Sequence, residues 1–391
     1  MTSTTISSNG VTRDASADAL LGSFERAGYA RVHPPILQPA EPFLDLSGED
    51  IRKRMYLTTD PQGRELCLRP DLTIPVSRDY LASPAAGKAA GYCYLGPVFR
   101  AEDNGAAATA ARPGEFLQAG IESFGRPDTA AADAEMLALG LEATGHYGVT
   151  APDTQTGDVG LYSALVAALE LAPIWKRRLM KDFNRKTHLA HDLERLALSA
   201  AKERPEYQGV LSALAGSDPK AARALVTDLL SIAGIRTVGG RSVAEIADRF
   251  LEQAAIGAGS GLPHEIGALI QRYLAIAGDP DTAAADLRSL AADARLPLNA
   301  ALDLFESRTG FLAARGIDVT RIRFSTGFGR GFDYYTGFVF ELHDPQAPAG
   351  GPLVAGGRYD GLLTRLGSAS RIPAVGFAVW IERLAARRGA S

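Results

Sequence analysis

Apolar positions recur at helical spacing near the start of the chain, where Leu20, Leu21 and Phe24 predict a helix over Ser16–Ala27. An extended stretch follows from Tyr29 to Leu37 and ends in prolines. Apolar and alternating runs then predict a short strand at Glu65–Leu68 and longer ones at Gly91–Arg100 and Glu115–Gly125. The small residues from Asn104 to Ala111 read as a loop between the last two, and Asp133–Thr144 as a helix. Strands resume at Ile322 and at Gly337–Leu342. Strands and helices do not alternate as in a doubly wound parallel sheet, so the expected class is α+β with antiparallel pairing.

From about Leu161 to Leu312 the texture is helical, alanine-rich and poor in strands. Ser242 and Glu245 form a capping box, after which Val243, Ile246, Phe250 and Leu251 share one helical face. Asp281–Ala294 repeats the style. The organisation this predicts is a disordered tail over 1–15, one α+β domain made of 16–160 and 318–391, and a helical insertion domain over 161–317.

Composition narrows the function. With 391 residues, 46% hydrophobic and 22% charged, the chain can bury a sizeable core. A net charge of -4 does not favour a protein that grips nucleic acid. The first fifteen residues lack the apolar core of a signal peptide, and no apolar run reaches the roughly 18 residues of a membrane span. A soluble, cytoplasmic protein is expected. Cys67 and Cys93 read as buried reduced thiols without zinc spacing. His188, His191 and Asp192 read as surface rather than a metal site, and no cofactor is expected. The basic run from Trp175 to Lys181, with Arg185 and Lys186, reads as a solvated helix face or a docking surface.

Candidate chemistry lies on the flanking strands. Along Glu115–Gly125, Gln118, Gly120 and Glu122 share one face and Leu117, Ala119 and Ile121 the other. An apolar face opposite an amide, a bare backbone and a carboxylate fits a polar pocket floor; a half-exposed sheet face is the plainer alternative. Glycine at 120 would let a ligand approach the backbone. On the preceding strand Tyr92, Tyr94, Gly96, Val98 and Arg100 share a face, and Arg100 could grip a carboxylate or phosphate or form a surface salt bridge. Leu68–Thr73 sets Asp71 and Thr73 two apart at a strand end. Gly329–Gly337 packs Arg330, Asp333, Tyr334 and Tyr335 among glycines, and Ala355–Gly361 reads as a tight turn.

In order and across nearly the whole chain, these segments resemble the histidyl-tRNA synthetases of class II. Gly28-Tyr29 through Pro35-Ile36 resembles motif 1, the dimer-interface strand. Gly96–Glu102 with Glu115–Gly125 resembles motif 2, and Ala374–Leu384 resembles motif 3. Arg330–Tyr335 and Gly356–Gly361 resemble the two histidine-specific signatures. The resemblance implies a dimeric, mainly antiparallel sheet flanked by helices. It also implies that Asp71 and Thr73 bind an α-amino group, with Gln118 assisting. Glu122 and Tyr335, with Tyr334 in the same signature, would hold the two imidazole nitrogens. Arg100 and Arg330 would lie near the carboxylate and α-phosphate, and Arg383 would grip nucleotide phosphates. Asp71 stands where synthetases usually carry a glutamate.

Three departures point away from a synthetase. The sequence ends at Ser391, soon after motif 3, where a synthetase continues into an anticodon-binding domain. The loop Asp103–Arg112 carries a single basic residue where motif 2 is normally rich in them. Trp380 stands where motif 3 normally has a glycine beside the adenine pocket. This combination resembles the regulatory subunits of two-component ATP phosphoribosyltransferase. That resemblance implies a non-catalytic protein of histidine biosynthesis that binds L-histidine as effector. Its partner would be a short-form catalytic subunit, activated and feedback-regulated within a hetero-oligomer containing a homodimer of this chain. The alternative is a catalytically active, aminoacylating enzyme of the synthetase type, supported by Glu102, Arg330 and Arg383.

Overall fold

The computed structural model describes residues 15–46, 49–101, 114–183, 263–330 and 334–388, with isolated positions between 224 and 232. Helix α1 (Ala15–Arg26) buries Leu20, Leu21 and Phe24. The Phe24 ring meets Phe377 edge-on at 5.7 Å between centroids. Gly28 turns the chain with φ of 97°, and β1 (Ala30–Arg31) runs parallel to β5 (Ala90–Phe99). A small antiparallel sheet follows, with β4 (Glu65–Leu68) between β2 (Leu37–Pro39) and β3 (Leu57–Thr59). Short helices α2 (Glu41–Leu46) and α3 (Glu49–Lys53) lie within it, and α4 (Thr73–Leu81) leaves it.

The main sheet of the described residues has nine strands in the order β1-β5-β6-β12-β11-β10-β7-β9-β8. These are β6 (Glu115–Phe124), β7 (Asp153–Asp158), β8 (Ala277–Gly278), β9 (Ile322–Ser325), β10 (Phe338–His343), β11 (Val354–Arg358) and β12 (Ala374–Trp380). Only β1 with β5 and β7 with β9 pair in parallel. The mixed, mainly antiparallel sheet flanked by helices is the expected α+β architecture. One expectation changes: the string 355–361 is not a tight turn. Through Arg358 it is strand β11, paired with both β10 and β12. Gly356 and Gly357 are needed there because a Cβ would meet the Phe377 side chain and the Phe338 carbonyl respectively.

Side-chain alternation sorts the core. Ala119 and Ile121 of β6, Phe340 of β10 and Phe377 of β12 pack with α1 and α5 (Thr129–Gly145). Val339 and Phe324 pack with α6 (Val159–Ala168), α7 (Pro173–Asp182), α8 (His264–Leu274), α9 (Pro280–Asp293) and α10 (Asn299–Ala314). Tyr94, Phe124, Tyr334 and Tyr359 form a third cluster with α4 and α11 (Leu362–Arg365). The chain closes with α12 (Ile381–Arg388). Within the span 161–317, β8 pairs with β9 at the sheet edge and α10 packs along α5. Much of the rest of that span, including the Ser242–Glu245 box, His188 and His191, lies outside the described residues, as do the tail to residue 14, Glu102 and the loop 103–112. No described helix is long and apolar enough to cross a membrane.

Candidate functional site

Glu122 is the centre of the polar face. Its β6 neighbours turn into the core under α1 and α5, which sends its carboxylate the other way, into the third cluster, where it is 1% exposed. Oε1 accepts from the Tyr94 hydroxyl at 3.1 Å, and Oε2 accepts from the Tyr359 hydroxyl. The Thr73 hydroxyl also bonds to it. Burial pushes the carboxyl up to about 8, against the hydrogen bonds from Tyr359, Thr73 and Tyr94 that favour its charged form. Small changes of environment therefore decide its charge near neutral pH.

Asp71 and Thr73 are set by the exit of β4. Buried Arg69 clamps this corner, donating from Nε to the Pro97 carbonyl at 2.8 Å and from Nη1 to the Pro34 carbonyl. Asp71 Oδ1 accepts from the Ile74 amide in the first turn of α4 at 3.1 Å. Its Oδ2 is buried and has no hydrogen-bond partner among the described residues. Burial raises this carboxyl, while the Ile74 amide and the Arg100 charge pull it back. A buried, unsatisfied carboxylate oxygen is the acceptor a ligand ammonium or amide would take. Gln118 accepts from the Leu72 amide at 3.2 Å, which leaves its NH2 as the donor side.

The arginines are partly engaged by protein. Arg100 donates from Nε to the Pro70 carbonyl at 2.7 Å and lies over the Phe116 ring. Arg330 donates to Glu341 at 3.1 Å and to the Tyr335 hydroxyl at 2.9 Å. Glu341 in turn meets His343 at 3.0 Å. Tyr334 tilts against Tyr335 and stands edge-on to Tyr359. The charge of Asp71 acts on Glu122, Arg100 and Tyr334, and that of Glu122 on Tyr335. The structure thus brings Asp71, Thr73, Gln118, Glu122, Tyr334 and Tyr335 around one polar centre, with Arg100 and Arg330 beside it.

Two residues of this centre were not singled out from the sequence. Tyr94 stood on the right strand face, and Tyr359 inside the Gly356–Gly361 signature. The signal for Tyr94 was Gly120, its register partner. A Cβ at 120 would meet the Tyr94 hydroxyl, so the bare backbone makes room for that phenol rather than for a ligand. Farther out, Trp380 pairs in register with Gln118 and is 8% exposed. The Arg383 guanidinium stacks over its indole at 5.1 Å and donates to the Pro352 carbonyl at 2.6 Å.

The chain belongs to the histidyl-tRNA synthetase family, whose model matches residues 11–253 and 224–384. Solved structures share the fold. An ATP phosphoribosyltransferase regulatory subunit/histidyl-tRNA synthetase from Bacillus halodurans superposes with a TM-score of 0.64 at 22% identity, over 95% of this chain and 78% of that one. A histidine–tRNA ligase subunit from Alicyclobacillus acidocaldarius gives 0.57 at 25% identity, over 100% and 98%. More specifically, the chain belongs to the ATP phosphoribosyltransferase regulatory subunit family. A protein of that name from Brucella canis is 41% identical over 362 residues, 92% of this chain and 93% of the relative.

Proposed function

We propose that this chain is a non-catalytic regulatory subunit of ATP phosphoribosyltransferase that binds L-histidine and activates and feedback-regulates a short catalytic subunit. The observation that carries the effector reading is the unpartnered Asp71 Oδ2 on the same polar centre as Glu122 and Tyr335. Histidine carries an ammonium for Asp71 and Thr73, a ring N–H that donates to the Glu122 carboxylate, and a second ring nitrogen that accepts from the Tyr335 hydroxyl. Arg100 and Arg330 supply the charge for its carboxylate. Calorimetric titration of the full chain with L-histidine tests this. Saturable one-site binding supports the reading, and the absence of binding sinks it.

The second reading, aminoacylation, draws on Arg330 and Arg383. Against it, Arg383 lies stacked on Trp380, where the resemblance calls for an arginine on nucleotide phosphates. ATP–pyrophosphate exchange by the purified chain would establish that reading. A homodimer within the hetero-oligomer also fits: Ile36 and Leu37, in the motif 1-like segment and β2, and Leu57 of β3 are 42%, 52% and 49% exposed.

A further inference from the structure

Five charged side chains run through the interior from α10 to the edge of the polar centre. Arg308 of α10 is 2% exposed and reaches Asp133 of α5 from Nη1 at 3.3 Å and Asp158 from Nη2 at 2.6 Å. Asp133 gives its other oxygen to Arg358 of β11, 2.8 Å from Nε and 2.7 Å from Nη2. Arg358 Nη1 continues to Asp360 at 2.9 Å. Asp360 Oδ1 also accepts from the Ala374 amide at 2.9 Å, and its own amide donates to the Thr336 hydroxyl at 3.0 Å. The Thr336 amide donates to the Arg358 carbonyl at 2.8 Å. Tyr359 is therefore held between two members of the chain, and Thr336, next to Tyr335, is tied to both of them.

We infer that Arg308 is a positioning residue of the pocket, acting through Asp133 and Arg358 to hold Tyr359 against the Glu122 carboxylate. This rests on the reading of that pocket as a histidine site. Fold stability alone does not call for the arrangement, because well-packed apolar side chains commonly replace a buried ion network without loss. What the network adds is geometry: each arginine fork has one arrangement that satisfies both of its acids. Among the described residues, Arg308 contacts Asp133, Asp158, Phe305 and Phe338 rather than a pocket side chain. Its removal leaves Asp133 held by Arg358 alone. Arg358 keeps Asp360 and the Thr129 carbonyl, but the carboxylate that fixes its fork can now shift, and with it the Tyr359 hydroxyl can recede. Glu122 then keeps Tyr94 from β5 and Thr73 from α4 as donors. Asp71 before α4 and Tyr334 and Tyr335 before β10 still face it, but one of its hydrogen bonds to the charged form is gone.

The test follows the Glu122 carboxyl directly, by NMR of the full chain carrying carboxyl-labelled glutamate, alongside histidine affinity. In Arg308→Met the Glu122 midpoint should move up by about half a unit or more, because a donor to the charged form is lost. Histidine affinity should fall by about threefold or more at neutral pH. Arg308→Lys should restore part of both. Should Arg308→Met not fold, Arg308→Met/Asp158→Asn removes the partner charge while Asn keeps the cap on α6, and the same outcomes are expected. Should neither fold, Arg308→Lys carries the test, since it keeps the charge but loses the two-armed fork. An unmoved Glu122 midpoint in the folded variant overturns the inference. If the parent chain does not bind histidine but the midpoint still moves with Arg308, the positioning stands and the histidine reading falls.

Discussion

Glu122 and Gly376 are register partners across β6 and β12, and the Glu122 carboxylate oxygen Oε2 occupies the space a side chain at 376 would need. Glycine at 376 is thus a condition for the carboxylate to turn inward between Tyr94 and Tyr359. Gly376→Ala should push Glu122 out of its position. The expected outcome is histidine binding weakened by at least about tenfold, since a buried charge-assisted hydrogen bond is worth about 2–5 kcal/mol on truncation. Calorimetry checks it, with circular dichroism to establish that the sheet is intact.

The burial of Glu122 also predicts a pH dependence of stability. Its carboxyl is at about 8 when folded, against an ordinary 4.5. The folded state binds the proton more tightly, so the favourable contribution is complete below 4.5 and is lost as pH rises through 8. Glu122→Gln removes that titration. The variant should melt with the parent below pH 4.5 and above it at pH 9, by about 2–5 kcal/mol. Thermal or urea melts across this range check the sign; a parent that gains on the variant with rising pH would contradict it.

Asp71 gives a prediction about ligand chemistry. Its free Oδ2 is suited to an ammonium. The parent chain should prefer histidine over its deamino analogue, imidazolepropionate, by at least about tenfold, the scale of a charge-assisted hydrogen bond. Asp71→Asn should bind histidine more weakly and erase most of the preference. Competition titrations measure both, and an undiminished preference in the variant would move the ammonium site elsewhere.

What could be read from the sequence was what periodicity carries. The alternation in β6 was legible because one of its faces is core, and the helix of α1 because Leu20, Leu21 and Phe24 recur at its period. Strand β7 was not legible: Asp-Thr-Gln-Thr-Gly-Asp has no apolar face, yet Thr154, Thr156 and Asp158 are buried. The two-residue strands β1 and β8 are too short to show any period. The partners of Glu122 lay beyond any local signal, since Tyr94 and Tyr359 are 28 and 237 positions away and meet it only through the strand order β5-β6-β12-β11. Arg308, central to the buried ion chain, sits in a helix whose other residues give no sign of it. The resemblance of motifs supplied candidate site residues that periodicity could not.

The last prediction concerns coupling to the proposed partner. An activator must bind the active arrangement of its partner better than the inactive one, and histidine must favour the other arrangement to inhibit. The coupling free energy need be only about 1–3 kcal/mol to change activity severalfold or more. In the proposed reading, closure of Asp71, Thr73, Gln118, Glu122 and Tyr335 around histidine would be the local event, and the sheet and helices that hold these residues would carry it outward. Phosphoribosyl transfer should therefore appear when the chain is mixed with a short catalytic subunit and fall when histidine is added. Glu122→Ala should raise the histidine concentration for half inhibition by at least about tenfold, in step with its loss of binding. Steady-state assays of the mixed subunits with parent and variant chains decide this. Inhibition unchanged in a variant that no longer binds histidine would put the effector site outside this pocket. Loss of activity before any histidine is added would assign Glu122 to assembly instead.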